Sequence, residues 1–509
     1  MFSHVVPSTA ESLGDFRYEK EFMKTILVAE SGDDWLGEFD GVQTVDPRDY
    51  LASPDPKSRG RTRVFNLSRS YAYQSMGYYV SLLAEARGER PMPDVTTIQD
   101  LSGSSAVRLI PQHLEELIEN SFKGLTGDEF VLSVYFGQNL AKKYDRLARE
   151  LFNLFQAPLL QFKFARRSKW RLRRASAISL GAVPLNHRDF VAEAAAKHFA
   201  RGVSSRPKRK SMRYDMAILH NPDEGDLAPS DEAALKKLVK AAAAEGINAE
   251  LITRSDSGRL LEFDALFIRE TTAVNHHTYR IARRAEAAGM VVIDDPVSIL
   301  RCTNKVYLAE LMTRAKVPTP QTTIVHRRNA DELAKTLSYP CVLKRPDSAF
   351  SQGVVKAANA DELQARLAEF FEDSELVIAQ AYMRTDFDWR IGVMDGRAMF
   401  ACKYHMARGH WQIAKHGTDV KSKPKFGKCE TFPVETAPRK AVAVAVKAAN
   451  LIGNGLYGVD VKEVDGHFYV IEVNDNPNLD SGIEDAVLRE ELYRRIMESF
   501  ARRIEATKS

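Results

Sequence analysis

Cysteine is scarce in this chain. Four residues in 509, Cys302, Cys341, Cys402 and Cys429, are scattered with no CxxC pair. That excludes a disulfide framework and paired-thiolate zinc modules, and it fits free thiols in a reducing cytoplasm. No run of eighteen apolar residues occurs, so no membrane span is expected. Residues 1–20 lack a basic segment followed by an apolar one, so no secretory leader is expected. An excess of one charge is missing too. Lys and Arg number 72 against 68 Asp and Glu, and the net +4 says little about partners at this length. There is no GxxxxGK[ST] P-loop and no GxSxG nucleophile elbow. Cys402, His405 and His410 lack paired zinc-ligand spacing. Gly453–Gly458 spells GxGxxG, but a helix precedes it and a strand follows, the reverse of a dinucleotide fingerprint.

What is present is ordinary globular composition, 44% apolar and 28% charged, in a length that should hold two to four domains. One stretch, Gly455–Asp485, organises the rest. It reads as strands over Gly458–Val464 and His467–Val473 joined by a turn at Asp465-Gly466. Glu472 and Asn474 alternate onto one face, and pairing of the strands would set Asp460 across from Glu472. Three hard oxygen donors without His or Cys suit magnesium held against phosphate. A polar hairpin with solvated carboxylates is the competing reading. Asn474-Asp475-Asn476-Pro477 then breaks the strand.

Upstream, residues 1–22 read as a loose tail and 23–203 as an N-terminal α/β domain, with strands over 24–29, 63–67 and 129–136 and helices over 70–87 and 106–122. Lys163–Arg174 carries seven basic residues and no acidic one, interleaved with Phe164, Trp170 and Leu172. A nucleic-acid reading would use Trp170 for stacking. Balanced overall charge and the absence of an RNA-binding motif favour a basic strand, followed by a basic linker over 204–213. Residues 214–297 alternate strands and helices, which argues a parallel sheet. A helix over about 231–245 would be N-capped by Ser230. Arg269 ends the strand 264–269, at the ligand-facing end of such a sheet. It reads equally as a substrate-carboxylate clamp or a structural ion pair. Ser298–Lys316 reads as one helix containing Asn304-Lys305. Strand Tyr339–Arg345 carries Lys344, and the small-residue loop Ser348–Gly353 follows it.

In this order the lysines, the loop and the hairpin resemble the ATP-grasp superfamily, closest to RimK-type ligases with an extended N-terminal region and similar to bacterial glutathione synthetases. The resemblance implies an α/β fold: an ATP-grasp core over 298–509, made of two α+β subdomains clamping ATP, preceded by a parallel-sheet pre-ATP-grasp domain over 214–297. It implies Asp460, Glu472 and Asn474 as ligands of Mg2+, or of Mn2+, with Asn476 and Pro477 continuing the family's ending and Asn476 on the substrate side. It implies Lys305 and Lys344 on phosphate, Ser348, Ser351, Gln352 and Gly353 in the loop over the triphosphate, and Gln380, Ala381 and Tyr382 against adenine. Many relatives have Glu at the position of Ala381. Asp388-Trp389-Arg390 resembles the family's Asp-x-Arg, with Asp388 on ribose and Arg390 near the reacting groups. Lys403 and Arg408 would add positive charge there. Trp411-Gln412-Ile413 replaces an Arg-Ser-Asn triplet, which points to a different acceptor.

The activity implied is ATP-dependent joining of a carboxylate to an amine through an acyl phosphate, with an amino acid such as glutamate and an amino-acid, peptide or protein acceptor as partners. The expected location is cytoplasmic, with neither membrane nor nucleic acid as partner and a homo-oligomer left open. The alternatives are a nucleotide-regulated RNA- or ribosome-binding protein using residues 163–174, and an ATP-grasp kinase that stops at phosphoryl transfer.

Overall fold

The computed structural model describes residues 24–30, 34–52, 62–102, 110–204, 212–347, 353–415 and 425–508. The expected tail, most of the basic linker, and Ser348, Ser351 and Gln352 lie outside the described residues.

The N-terminal unit holds two sheets. Strands β1 (Lys24–Val28), β2 (Val42–Val45), β3 (Thr62–Asn66) and β4 (Arg90–Met92) pair in parallel in the order β2-β1-β3-β4. Strands β5 (Glu129–Tyr135), β6 (Leu159–Arg166) and β7 (Trp170–Ala177) form an antiparallel sheet that carries the basic run. Period-2 alternation decides its chemistry. Lys163, Arg171 and Arg173 point to solvent, while Phe162, Phe164, Trp170 and Leu172 point to the core. Trp170 is 2% exposed, its ring edge-on to Phe122 at 5.4 Å. It offers no face to a base, so the nucleic-acid reading loses its stacking platform.

Strands β8 (Tyr214–His220), β9 (Ile247–Ile252), β10 (Ala265–Arg269) and β11 (Val291–Ile293) make the expected parallel sheet, ordered β11-β10-β8-β9. The helix Glu232–Ala244 is capped by Asp231, whose carboxylate accepts the Ala234 N–H, and not by Ser230. Ser230 is engaged by Arg269 instead, accepting a 3.0 Å hydrogen bond from its Nε.

Two further sheets follow, both antiparallel among their paired strands. One runs β12 (Thr322–Val325), β15 (Val377–Ala381), β13 (Cys341–Lys344), β14 (Val354–Ala357). After β16 (Phe387–Met394), β17 (Arg397–His405) and the two-residue strands β18 (Ala414–Lys415) and β19 (Lys425–Phe426), the other is completed by β20 (Cys429–Phe432), β21 (Leu456–Val464) and β22 (His467–Asp475), ordered β20-β17-β16-β21-β22. Helix Arg439–Ile452 packs on this sheet through Ala441, Ala445, Ala448 and Ala449, small residues that let helix and strands approach closely. The C-terminal helix Glu490–Lys508 returns to the parallel sheet, where Phe500 meets Phe267 at 5.2 Å between ring centroids. Each such buried ring contributes about 1.5–3 kcal/mol.

The single helix expected over 298–316 is two, Pro296–Thr303 and Lys305–Arg314. Asn304 adopts an extended conformation, and its side chain caps the second helix by accepting the Tyr307 N–H at 2.9 Å. An Asn side chain inside an apolar-periodic run competes with the helical backbone, and here it wins.

Candidate active site

The hairpin β21–β22 turns at Asp465-Gly466, both at positive φ, as a two-residue Asp-Gly turn requires. Its register sets Asp460 against Glu472 and Gly458 against Asn474, so the three oxygen-bearing side chains share one face. A bulge after Asp460 inserts Ile471 and increases the local bend. Gly458 has no side chain for a reason. A Cβ there would lie 2.8 Å from the Cβ of Pro477, where the chain folds back over the strand.

Strand β16 supplies the next pieces, pairing Arg390 with Asp460 across the ladder. The guanidinium makes a bidentate bond, Nε to Oδ1 and Nη2 to Oδ2, both 2.7 Å. Burial opposes its charge, but Asp460 outweighs burial and holds Arg390 above the ordinary arginine range. Its plane lies 4.9 Å from the Tyr404 ring centroid, and the Tyr404 hydroxyl donates to Glu484, which is 1% exposed. Neither Tyr404 nor Glu484 was anticipated from sequence. Asp388 sits two residues before Arg390 on the same face, bonded by Lys462 at 2.5 Å and by Thr385 at 3.0 Å. Burial pushes its carboxyl up, with Lys462 opposing. Lys462 was also missed; its signal is its place two residues after Asp460 on one strand.

Lys305 opens the second helix after the Asn304 break and reaches Glu472, Nζ to Oε1 at 3.1 Å. Burial alone would raise the Glu472 carboxyl, yet Lys305 and Lys344 hold it below the usual carboxylate range. Lys344 ends β13 and is 9% exposed; burial pushes its ammonium down to about 8. Lys305, Lys344, Asp388, Asp460, Lys462 and Glu472 line one cleft between the two antiparallel sheets, with Gln380, Ala381, Tyr382 and Trp411 forming its side wall. The Ala381 N–H is already committed to the Gln321 carbonyl at 2.8 Å. The Tyr382 and Trp411 rings meet at 5.8 Å. Gly353 lies at φ 68, and its carbonyl accepts the Arg345 N–H at 2.9 Å.

Four expected site residues are not brought into this cleft. Lys403 pairs with Trp389, so strand parity turns it to the opposite face from Arg390. Its ammonium lies over Phe387 and Trp389, at 4.3 and 4.8 Å from the ring centroids. Arg408 is exposed and does not line the cleft. Arg269 is 1% exposed, its donors taken by Ser230, Asn476 and the carbonyls of Pro229 and Pro477. Asn476 accepts from Arg269 at 2.6 Å and donates to the Glu270 carbonyl at 2.6 Å. This pair is a buried pin between parallel sheet and hairpin, with nothing left for a substrate carboxylate.

A family model described as the RimK-like ATP-grasp domain matches residues 302–487, which span every element of the cleft, and one described as the RimK-like ATPgrasp N-terminal domain matches residues 47–194. This chain is a RimK-like ATP-grasp protein. It belongs with the carboxylate–amine ligases that form C–N bonds using ATP. It is 28% identical over 231 residues to a probable alpha-L-glutamate ligase of Thioalkalivibrio sulfidiphilus, a match covering 45% of this chain and 73% of that protein. It is 28% identical over 200 residues to the alpha-aminoadipate–LysW ligase LysX of Saccharolobus solfataricus, covering 38% and 68%. A solved RimK domain ATP-grasp protein of Sphaerobacter thermophilus aligns over 56% of this chain and 98% of its own, with 15% identity and a TM-score of 0.43.

The cleft sets the ammonium groups of Lys305, Lys344 and Lys462 beside the carboxylates of Asp388, Asp460 and Glu472. The opposed carboxylates of Asp460 and Glu472, with the Asn474 amide beside them, offer oxygen donors only, a set that fits Mg2+. Their contacts with Arg390 and Lys305 show how strongly that face attracts positive charge. A pH effect follows from Lys344. Its ammonium is lost as pH rises through about 8, so nucleotide affinity should fall above that pH. The stability sign is opposite: between about 8 and the unfolded lysine value the unfolded chain binds the extra proton, so stability rises with pH there. Titrating a non-hydrolysable ATP analogue from pH 7 to 9.5 should show affinity declining in the wild type and flat in Lys344→Arg, which stays charged.

Proposed function

We propose that this enzyme activates the carboxylate of an amino acid with ATP and joins it to an amine, releasing ADP and phosphate. The observation that carries this reading is the convergence of Lys305, Lys344 and Lys462 with Asp388, Asp460 and Glu472 in one cleft between two sheets, with Arg390 bonded to Asp460 and Asn474 on the same face of the hairpin. Lys305, Lys344 and Lys462 would hold the triphosphate, and Asp388 the ribose. Asp460, Glu472 and Asn474 would hold Mg2+, with Mn2+ a substitute; when bound, that ion draws charge from the phosphate oxygens.

The carboxylate is an unreactive acylating agent because oxide is a poor leaving group. Its oxygen attacks the γ-phosphorus, the bond to the β-phosphate oxygen breaks, and ADP departs. Lys305 and Lys344 offset the repulsion between carboxylate and triphosphate. The amine nitrogen then attacks the acyl carbon, the bond from acyl carbon to phosphate oxygen breaks, and phosphate leaves with the amine proton. Arg390, held by Asp460 and packed on Tyr404, would stabilise the oxyanion of the addition step.

The names of the relatives point to glutamate or a similar amino acid as one substrate, and to an amino acid, peptide or protein terminus as the acceptor. We assign residues 214–297 as the pre-ATP-grasp domain, 298–509 as the catalytic domain and 23–203 as the region that shapes acceptor choice. No helix among the described residues is long and apolar enough to cross a membrane, and three of the four free cysteines are buried. Both suit a reducing cytoplasm.

Release of ADP should depend on one member of an amino-acid panel, and adding hydroxylamine should divert the product to a hydroxamate. ADP release that ignores the panel, or a phosphorylated product stable to hydroxylamine, would replace this reading with an ATPase or a kinase.

A further inference from the structure

A second recess lies away from the ATP-grasp cleft, where the N-terminal unit meets the parallel sheet. Arg254, Arg280, Arg284 and His277 line it from the parallel-sheet side, and His113 and Glu150 from the N-terminal side. It encloses about 70 Å³, room for roughly five waters. Among its lining residues only Glu150 is acidic. Arg254 takes that carboxylate at 2.8 Å and also bonds His113 Nε2 at 2.7 Å. Arg284 donates to the carbonyls of Asn153 and Ser257, leaving its Nε buried without a partner. Arg280 has no hydrogen-bond partner among the described residues. The helix His277–Ala287 starts here, and its N-cap His276 makes no side-chain cap bond, so its first N–H groups add positive potential.

The basic groups feel one another. Burial, then Arg254, lowers both Arg280 and His113; burial lowers Arg284 to about 10; burial, then Arg254 and Arg280, lowers His277 to about 4. Two carboxylates stand nearby and do not fill the recess. Glu270 contacts His277 at 2.7 Å and is itself pushed up by burial, and Asp94 faces Arg284 while capping the helix Val95–Leu101. Glu270, His276 and His277 also place one donor atom each within 4.8 Å of one another. By donor type that trio could hold a cation, but Arg254, Arg280 and the helix N-terminus set the wrong sign of potential for one.

We propose that this recess binds a phosphate-sized oxyanion, free or as the end group of a larger metabolite, at the boundary between the N-terminal unit and the parallel sheet. Arg280 and the buried Arg284 Nε are its main donors, with Arg254 beside them. The proposal is independent of the ligase reading.

The test uses the full chain with the nucleotide cleft filled by a non-hydrolysable ATP analogue and Mg2+. Equilibrium dialysis with radiolabelled inorganic phosphate should find one saturable equivalent. Arg280→Gln should weaken it at least tenfold and Arg280→Lys by less. Competition by glycerol 3-phosphate stronger than by phosphate itself identifies an end group of a larger metabolite; weaker competition identifies the free ion. No saturable phosphate in the wild type, binding unchanged in Arg280→Gln, or uptake of Zn2+ at Glu270, His276 and His277 in its place overturns the assignment. If Arg280→Gln does not fold, the wild-type stoichiometry and the Arg280→Lys shift still decide it.

Discussion

Glu472→Gln is expected to lower ADP release by roughly 10²–10³-fold, the usual loss when one charge at a reacting phosphate or oxyanion is removed, while the protein keeps its fold. The substitution preserves shape and deletes charge. Glu472 stands across from Asp460 and within 3.1 Å of Lys305, with Lys344 also acting on its carboxyl. Without that carboxylate the hairpin keeps a single acidic donor toward a divalent ion, and the ion pair with Lys305 is lost. The stability consequence has a definite sign. A carboxyl held below its unfolded value contributes stability at neutral pH that is lost as pH falls through the folded value, so the variant's unfolding midpoint should depend less on pH in the acid range. Turnover at the wild-type rate in this variant would remove the hairpin from the reaction.

Arg269→Met should cost about 3–5 kcal/mol of stability, the range for breaking a buried ionic network from one side. Arg269 is 1% exposed and bonds Ser230 at 3.0 Å, Asn476 at 2.6 Å and the Pro477 carbonyl at 2.7 Å, besides the Pro229 carbonyl. It also faces Asp294, a fully buried carboxyl that burial and Asp475 together push well above the usual range. Methionine fills much of the volume but leaves these acceptors unpaired. Arg269→Lys should recover little, since one ammonium cannot span a fork of four acceptors. Urea unfolding reads the loss directly. A raised KM with an unchanged urea midpoint would return Arg269 to the role of a substrate clamp.

The catalytic half of the chain was legible because its signals are local. Two alternating strands around Asp-Gly announce the hairpin, and the hairpin's period of two puts Asp460, Glu472 and Asn474 on one face. What failed was information the chain carries only across strands. Lys403 and Tyr404 are adjacent, and the β16–β17 register alone decides that Tyr404 joins Arg390 while Lys403 turns away. Arg269 sits where a ligand-binding residue would sit in an open parallel sheet. The segment from Asn476 to Pro477, some two hundred residues later, fills that place. In Lys163–Arg174, by contrast, the sequence favoured a basic strand, and the strands there bury Phe164, Trp170 and Leu172. The apolar period on either side of Asn304 concealed the break.

That break ties the two lysines together. The Lys305 N–H bonds the Pro346 carbonyl at 2.9 Å, and the Asn304 amide bonds Asp347 at 2.8 Å, two and three residues beyond Lys344. The segment after Lys344 is therefore fastened to the start of the Lys305 helix, while that helix packs through Leu308 and Met312 in the same core as Val459, Val461, Val470 and Val473 of the hairpin sheet. Gaping of the mouth would strain the Lys305–Pro346 and Asn304–Asp347 bonds before it disturbed the Lys305–Glu472 contact.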